Sequence, residues 1–172
     1  PLPRISQADY SPDSRSHPRL RFVPSVPQPF EVAVPTAVPT PRRVVVTGGG
    51  TGLGEAIAER FAHDGDDVVI VGRRGEVLEA TAARITTGVD RGAVTIHACD
   101  LADPVAVGDL AAAVAASGPV DVLVANAGGG STRAGADLAE TARLTTDLFT
   151  LNVLTAVLTI EAFRPHLRRP GA

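Results

Sequence analysis

Lysine, methionine and tryptophan are absent from this 172-residue chain, and cysteine and tyrosine occur once each, as Cys99 and Tyr10. A single cysteine excludes an internal disulfide, and the four histidines (His17, His63, His97, His166) show no ligand spacing, so no metal site is predicted. Basic charge is scarce as well: every cation of the Lys/Arg class is an arginine, the arginines are scattered, and the formal net charge is −3. That balance leaves no field for nucleic acid or an anionic membrane. No uninterrupted apolar run approaches about 18 residues, and the N-terminus lacks the apolar core of a signal peptide. The expectation is a cytoplasmic protein with no membrane partner.

Ten of the 14 prolines fall in residues 1–41, among Ser, Gln and Arg, a composition that denies both helical period and ladder hydrogen bonds. An arm over 1–41 that is disordered or loosely extended is predicted, followed by one domain over 42–172. From Arg42 onward, short β-branched runs alternate with helical periods, the pattern of a parallel sheet wrapped by helices. Strands are expected at 44–47, 68–71, 94–98 and 120–125. Leu53, Ile57 and Phe61 mark one helical stripe, Leu78, Ala82 and Ile85 a second, and Val107, Leu110, Ala111 and Val114 a third. Asp103-Pro104 supplies a capping side chain and a first-turn proline for the third helix. A last helix over about 144–167 is apolar on two sides. Leu148, Leu151, Leu158 and Ala162 form one stripe; Phe149, Val153, Val157 and Ile160 form the other. Two apolar faces call for two covers, the sheet and, for the second, another subunit.

The densest chemical signal is Thr47-Gly48-Gly49-Gly50-Thr51-Gly52-Leu53-Gly54, which follows a β-branched strand and opens a helix. Gly48, Gly52 and Gly54 suit a tight turn, a close approach of backbone to phosphate, and close packing of helix on strand. The helix N-terminus attracts the negative charge. About 20 residues on, a domain built to bind NAD places an acid on the ribose 2′-hydroxyl. Here the second strand ends in Gly72-Arg73-Arg74. Arginine presents a planar fork of donors matched to phosphate, so Arg73, with Arg74 behind it, predicts NADP rather than NAD. A solvated arginine pair at a strand end is the plainer alternative.

These residues resemble the short-chain dehydrogenase/reductase family, in its Thr-Gly-x-x-x-Gly-x-Gly branch, and three further motifs fit the same order. Asp100-Leu101 follows the third strand, where the resemblance implies contact with adenine. Asn126-Ala127-Gly128 ends the fourth, where it implies support of the sheet and the cofactor ribose. Asn152 matches an asparagine placed mid-helix to hold a water in a proton relay, a catalytic role. Gly48, Thr51, Gly52, Leu53, Gly54, Arg73, Arg74, Asp100, Leu101, Asn126, Ala127 and Gly128 are the implied cofactor residues. Plainer roles stay open beside these. Asp100 suits a turn after a strand, Asn126 a left-handed turn position, Asn152 a local hydrogen bond or helix bulge, and Cys99 a small buried hydrophobe.

The resemblance also implies a serine after a fifth strand and a Tyr-x-x-x-Lys on the next helix, which would donate the proton for hydride transfer to a carbonyl. Tyr10 lies in the proline-rich arm and no lysine exists. The family's strand order 3-2-1-4-5-6-7 reduces here to 3-2-1-4, a Rossmann-type doubly wound sheet truncated after the fourth strand and its helix. The expectation is the cofactor-binding part of an NADP-dependent oxidoreductase acting on a ketone or secondary alcohol, not active as given. Its fourth strand would be left as an edge, prone to self-association. The alternatives are a noncatalytic NADP-binding module or partner subunit, and an inert fragment.

Overall fold

The computed structural model describes residues 40–89, 91–130 and 135–169; the expectation for the proline-rich arm therefore lies, up to residue 39, outside the described residues. The β-branched runs become four parallel strands: β1 (Arg43–Thr47), β2 (Asp67–Gly72), β3 (Val94–Ala98) and β4 (Val122–Val124), in the order β3-β2-β1-β4. Register places Val45 beside Val69 on one side and beside Leu123 on the other. The helices are α1 (Gly52–His63), α2 (Gly75–Thr87), α3 (Pro104–Ala115), α4 (Leu138–Phe149) and α5 (Thr155–Phe163), with a π turn at Thr150–Leu154 and a 3₁₀ turn at Arg164–His166.

Alternate residues of the central strands feed two cores, as a doubly wound sheet requires. Val44, Val46, Val68 and Ile70 pack with Ala58, Ala62, Leu78 and Ile85 of α1 and α2. Val45, Val69 and Val71 pack with Val107, Leu110, Ala111 and Val114 of α3 and with Phe163 of α5. The α3 stripe thus lies where its period put it. Asp103 caps α3 by accepting from the Val105 and Ala106 N–H groups, with Pro104 in the first turn.

Three expectations need correction. In α1 the buried line is Gly54, Ala58 and Ala62, while Leu53 is 71% exposed and Ile57 and Phe61 flank the core. Small residues face the sheet there because the helix starts hard against the glycine turn. Strand β4 spans three residues rather than 120–125: at its start the Asp121 N–H donates to the Arg43 carbonyl at 2.8 Å but the return bond from the Arg43 N–H goes to the Asp121 carboxylate at 2.8 Å, and past its end the Asn126 N–H turns back to the Val124 carbonyl at 3.0 Å. Val120 instead pairs in parallel with Leu167, donating to the His166 carbonyl and accepting from the Arg168 N–H. That bridge lies outside the sheet, which ends at β4 in the expected order 3-2-1-4.

The last helix, finally, begins at Leu138, not near 144, and runs to His166 through the π turn. Its 29 residues reach a mean hydropathy of 1.3 over an 18-residue window, enough by length and composition to cross a membrane. Thr155, Thr159 and Phe163 form its buried line, whereas Phe149, Val153, Val157 and Ile160 are exposed.

At the opposite end of the strands from the glycine turn, two aspartates hold the start of β1. Asp66 is buried and accepts from the Arg42 backbone N–H at 3.0 Å and from its guanidinium at 2.5 Å. Phe61 lies 5.4 Å beneath that guanidinium. Asp121 takes the next N–H, that of Arg43, and is paired with Arg168.

Candidate functional site

The strand order reverses at β1, whose neighbours β2 and β4 lead to helices on opposite faces, and a crevice opens beyond the carboxyl ends of such strands. Here it is a cavity of about 460 Å³. Its lining comes from the ends of all four strands and from two helical walls: Gly48, Gly50 and Thr51 after β1; Gly72, Arg73 and Arg74 at the end of β2; Cys99, Asp100, Leu101 and Ala102 after β3; Ala127 and Gly128 after β4; Val77 and Leu78 of α2; and Asp147, Thr150, Leu151 and Thr155 across from them.

The glycine turn is built for close approaches. Gly48 (φ +68°) and Gly52 (φ +59°) occupy the left-handed region that only glycine enters without strain. The Gly48 N–H donates to the Val71 carbonyl at 2.8 Å, folding the turn back onto β2. At Gly54 any Cβ would collide with the Gly48 carbonyl and the Asn126 amide, so α1 sits as near the turn as a helix can. Thr51 stands at the N-cap of α1 but its side chain makes no capping bond, and the same holds for Arg74 at the N-cap of α2. Helices α3 and α4 are instead capped by their own aspartates, Asp103 and Asp137. The N-termini of α1 and α2 thus lack a side-chain cap and border the cavity, leaving first-turn N–H groups for an anion.

The floor between β1 and β4 is tied by one hydroxyl. Thr47, 1% exposed, accepts from the Asn126 and Ala127 N–H groups at 3.0 Å each and donates to the Val124 carbonyl at 3.3 Å. The Asn126 amide returns a bond to the Thr47 carbonyl at 3.1 Å. Asn126 therefore works as a sheet tie; no non-glycine described residue has positive φ, so it is not a left-handed turn residue.

Asn152 lies in the π turn and is spent on backbone. Its Oδ1 accepts from the Gly129 N–H at 3.0 Å, while its Nδ2 donates to the Gly129 carbonyl at 2.8 Å and to the Leu148 carbonyl at 2.9 Å. Gly128 must be glycine for this, since a Cβ there would stand 2.6 Å from Oδ1. Asp100 accepts from the Ala102 N–H at 3.1 Å, an Asx-type turn that shapes the cavity edge. Cys99 is buried, and burial pushes its thiol pKa up, which makes it a packing residue rather than a nucleophile.

Of the residues named from sequence, Gly48, Thr51, Arg73, Arg74, Asp100, Leu101, Ala127 and Gly128 meet at this cavity. Gly52, Leu53, Gly54, Asn126 and Asn152 are not among its lining; Gly54, Asn126 and Asn152 brace the loops that are. Sequence reasoning missed Val77 and Leu78 of α2 and the whole wall from Asp147 to Thr155. Only the apolar stripe through Leu148 and Leu151 hinted at that wall, and it says nothing about which cavity is faced.

Comparison with known proteins agrees with this geometry. The short chain dehydrogenase family model matches residues 42–172. An uncharacterized oxidoreductase of Mycobacterium tuberculosis is 42% identical over 129 residues, which is 74% of this chain and 48% of that protein. Among solved structures, an alcohol dehydrogenase from Thermococcus sibiricus complexed with 5-hydroxy-NADP superposes with a TM-score of 0.65 at 31% identity, covering 74% of this chain and 53% of the other. A 3-ketoacyl-(acyl-carrier-protein) reductase from Brucella melitensis complexed with NADH gives 0.64 at 33% identity, covering 73% and 49%. The chain spans about half the length of these relatives.

Proposed function

The chain belongs to the short-chain dehydrogenase family, and from that premise we propose that it binds NADP as the cofactor-holding part of an oxidoreductase acting on a ketone or secondary alcohol. The carrying observation is that the uncapped first turns of α1 and α2 open on one cavity, with Arg73 and Arg74 at the second of them and no acid beside β2's end. The glycine turn and the α1 N-terminus suit a pyrophosphate, the Arg73–Arg74 pair a 2′-phosphate, and the Asp100-Leu101 edge an adenine. When bound, a nicotinamide dinucleotide supplies the hydride. This chain's own residues hold and orient the nucleotide and exclude water from its adenosine end.

Proton delivery is a separate matter. Asn152 has its side chain committed to Gly129 and Leu148, which makes it a positioning residue for the cavity wall. No lysine exists in the sequence, and Tyr10 lies outside the described residues. The chain as given is therefore read as binding without turnover, since loss of a general acid alone costs about 10² to 10⁴ in rate.

Titration of the purified chain with NADPH and NADH by nucleotide fluorescence, with circular dichroism in parallel, tests this reading. Saturable binding that favours NADPH is expected, and Arg73→Asp should erase that preference by weakening NADPH about tenfold or more. A folded chain that binds neither nucleotide sinks the proposal, and an unchanged NADPH/NADH ratio in Arg73→Asp removes that arginine from the site.

A further inference from the structure

Helix α2 does more than cover the sheet. Thr81 is 2% exposed, yet it is polar and sits on the face turned to the glycine turn. Its hydroxyl donates to the Gly50 carbonyl at 2.9 Å, across 31 residues of chain. Arg84, one turn on, donates to the same hydroxyl at 3.3 Å and forms an ion pair with Glu55 in the first turn of α1. Val77 and Leu78 close the same gap, since a Cβ on Gly50 would stand 3.3 and 3.2 Å from them. Gly50 and Thr51 line the cavity; Thr81, Arg84 and Glu55 do not.

Two physical consequences follow. Among the described residues all peptides are trans, and in a planar trans peptide the carbonyl and the following N–H point opposite ways. Fixing the Gly50 carbonyl on Thr81 therefore fixes the Thr51 N–H in the reverse direction. Gly50, with no Cβ, would otherwise leave the ψ rotation of that peptide loose. Glu55, meanwhile, places a carboxylate in the very turn whose N–H groups would receive a pyrophosphate, where a second negative charge repels the ligand. Arg84 balances that charge.

We propose that Thr81 and Arg84 are positioning residues for the nucleotide-phosphate cradle, Thr81 by locking the Gly50–Thr51 peptide and Arg84 by neutralising Glu55 beside the α1 N-terminus. This rests on the cofactor reading above and deepens it, making α2 the part that couples the arginine pair at its own start to the phosphate turn.

The test is an NADPH titration of the chain and of Thr81→Val, Thr81→Ser, Arg84→Ala and the double variant Arg84→Ala/Glu55→Gln, with the melting temperature of each unliganded protein recorded alongside. Thr81→Val should raise Kd about tenfold, while Thr81→Ser, which keeps the hydroxyl, stays within about threefold of the parent. Arg84→Ala should raise Kd by about three- to tenfold, and adding Glu55→Gln should restore it, because the repelling charge has gone. A helix brace without a role in binding would move melting temperatures but would not show charge-specific rescue. Parent-like Kd values in Thr81→Val and Arg84→Ala overturn the inference while leaving the cofactor reading intact. So does a loss of affinity that Glu55→Gln does not reverse. A parent chain that binds no NADPH overturns both.

Discussion

Asp66 shows how a single buried acid can hold the start of the central strand. Burial by itself raises its pKa, but the hydrogen bonds from the Arg42 side chain and backbone outweigh that, so the carboxyl ends below its usual range. A folded pKa that is depressed means stability that is fully present above the unfolded value of about 4 and lost as pH falls through the folded value. Asp121 is balanced the same way, burial pushing it up and the Arg43 N–H and Arg168 pulling it down by more. Asp66→Asn should cost about 1–3 kcal/mol at neutral pH, since it leaves Arg42 without its ion-pair partner. It should also flatten the fall in stability below about pH 4, without abolishing it because Asp121 remains. Urea unfolding of parent and variant across that range checks both parts, and parallel acid limbs would exclude Asp66 as their source. Residue identity alone placed the arginines Arg73 and Arg74 at the cavity. It gave no sign of the Asp66–Arg42 pair, because a partner 24 residues away leaves no local pattern.

Among the elements, the junction of β1 with β4 is the one most exposed to a small change. Thr47→Val keeps the volume but removes the acceptor for the Asn126 and Ala127 N–H groups, at the end of a buried strand. The Asn126 N–H keeps the Val124 carbonyl at 3.0 Å, so the Ala127 donor is the one left unmet, and a loss of about 1–3 kcal/mol is expected in chemical unfolding, with weaker NADPH binding. Thr47→Ser, which retains the hydroxyl, should recover most of it, and equal losses in the two variants would show that volume rather than the hydroxyl matters. Element positions were legible to the degree that apolar size tracks burial. In α3 it does, and Val107, Leu110, Ala111 and Val114 are all buried. In α1 it fails because the glycine turn leaves room only for Gly54 and alanines against the sheet, pushing Leu53 outward. The bulge at Asn152 and its local bond to the Leu148 carbonyl were legible from a polar residue in an apolar helix, but nothing in a run of Leu, Asn and Val specifies the bonds to Gly129.

At the scale of the whole molecule, the outward face of the last helix carries a line of exposed apolar side chains among the described residues. Phe149, Val153, Val157 and Ile160 stand 60, 41, 50 and 46% exposed along one side, and among the described residues β4 has no strand on its outer side, only the Val120–Leu167 bridge just before it. Contiguous apolar surface of this kind drives association. Light scattering during gel filtration should show a mass that rises with concentration, and Val157→Glu with Ile160→Glu should lower it while leaving NADPH affinity unchanged. A monomer at all concentrations in the parent would show that the face stays in water.

Thr47 also carries a message about the order of events in folding. Its hydroxyl joins residues 79 and 80 positions apart, and β4 reaches the sheet only after β2, α2, β3 and α3 have been laid down in the chain. Contacts between such distant segments form slowly, because the intervening loop must be closed before they give any return. The stretch from β1 to α2 can assemble the glycine turn and its brace locally, but the cavity has no fourth side until β4 docks. On the cofactor reading proposed above, nucleotide capture is expected as a late event, and its onset during refolding should time the completion of the sheet.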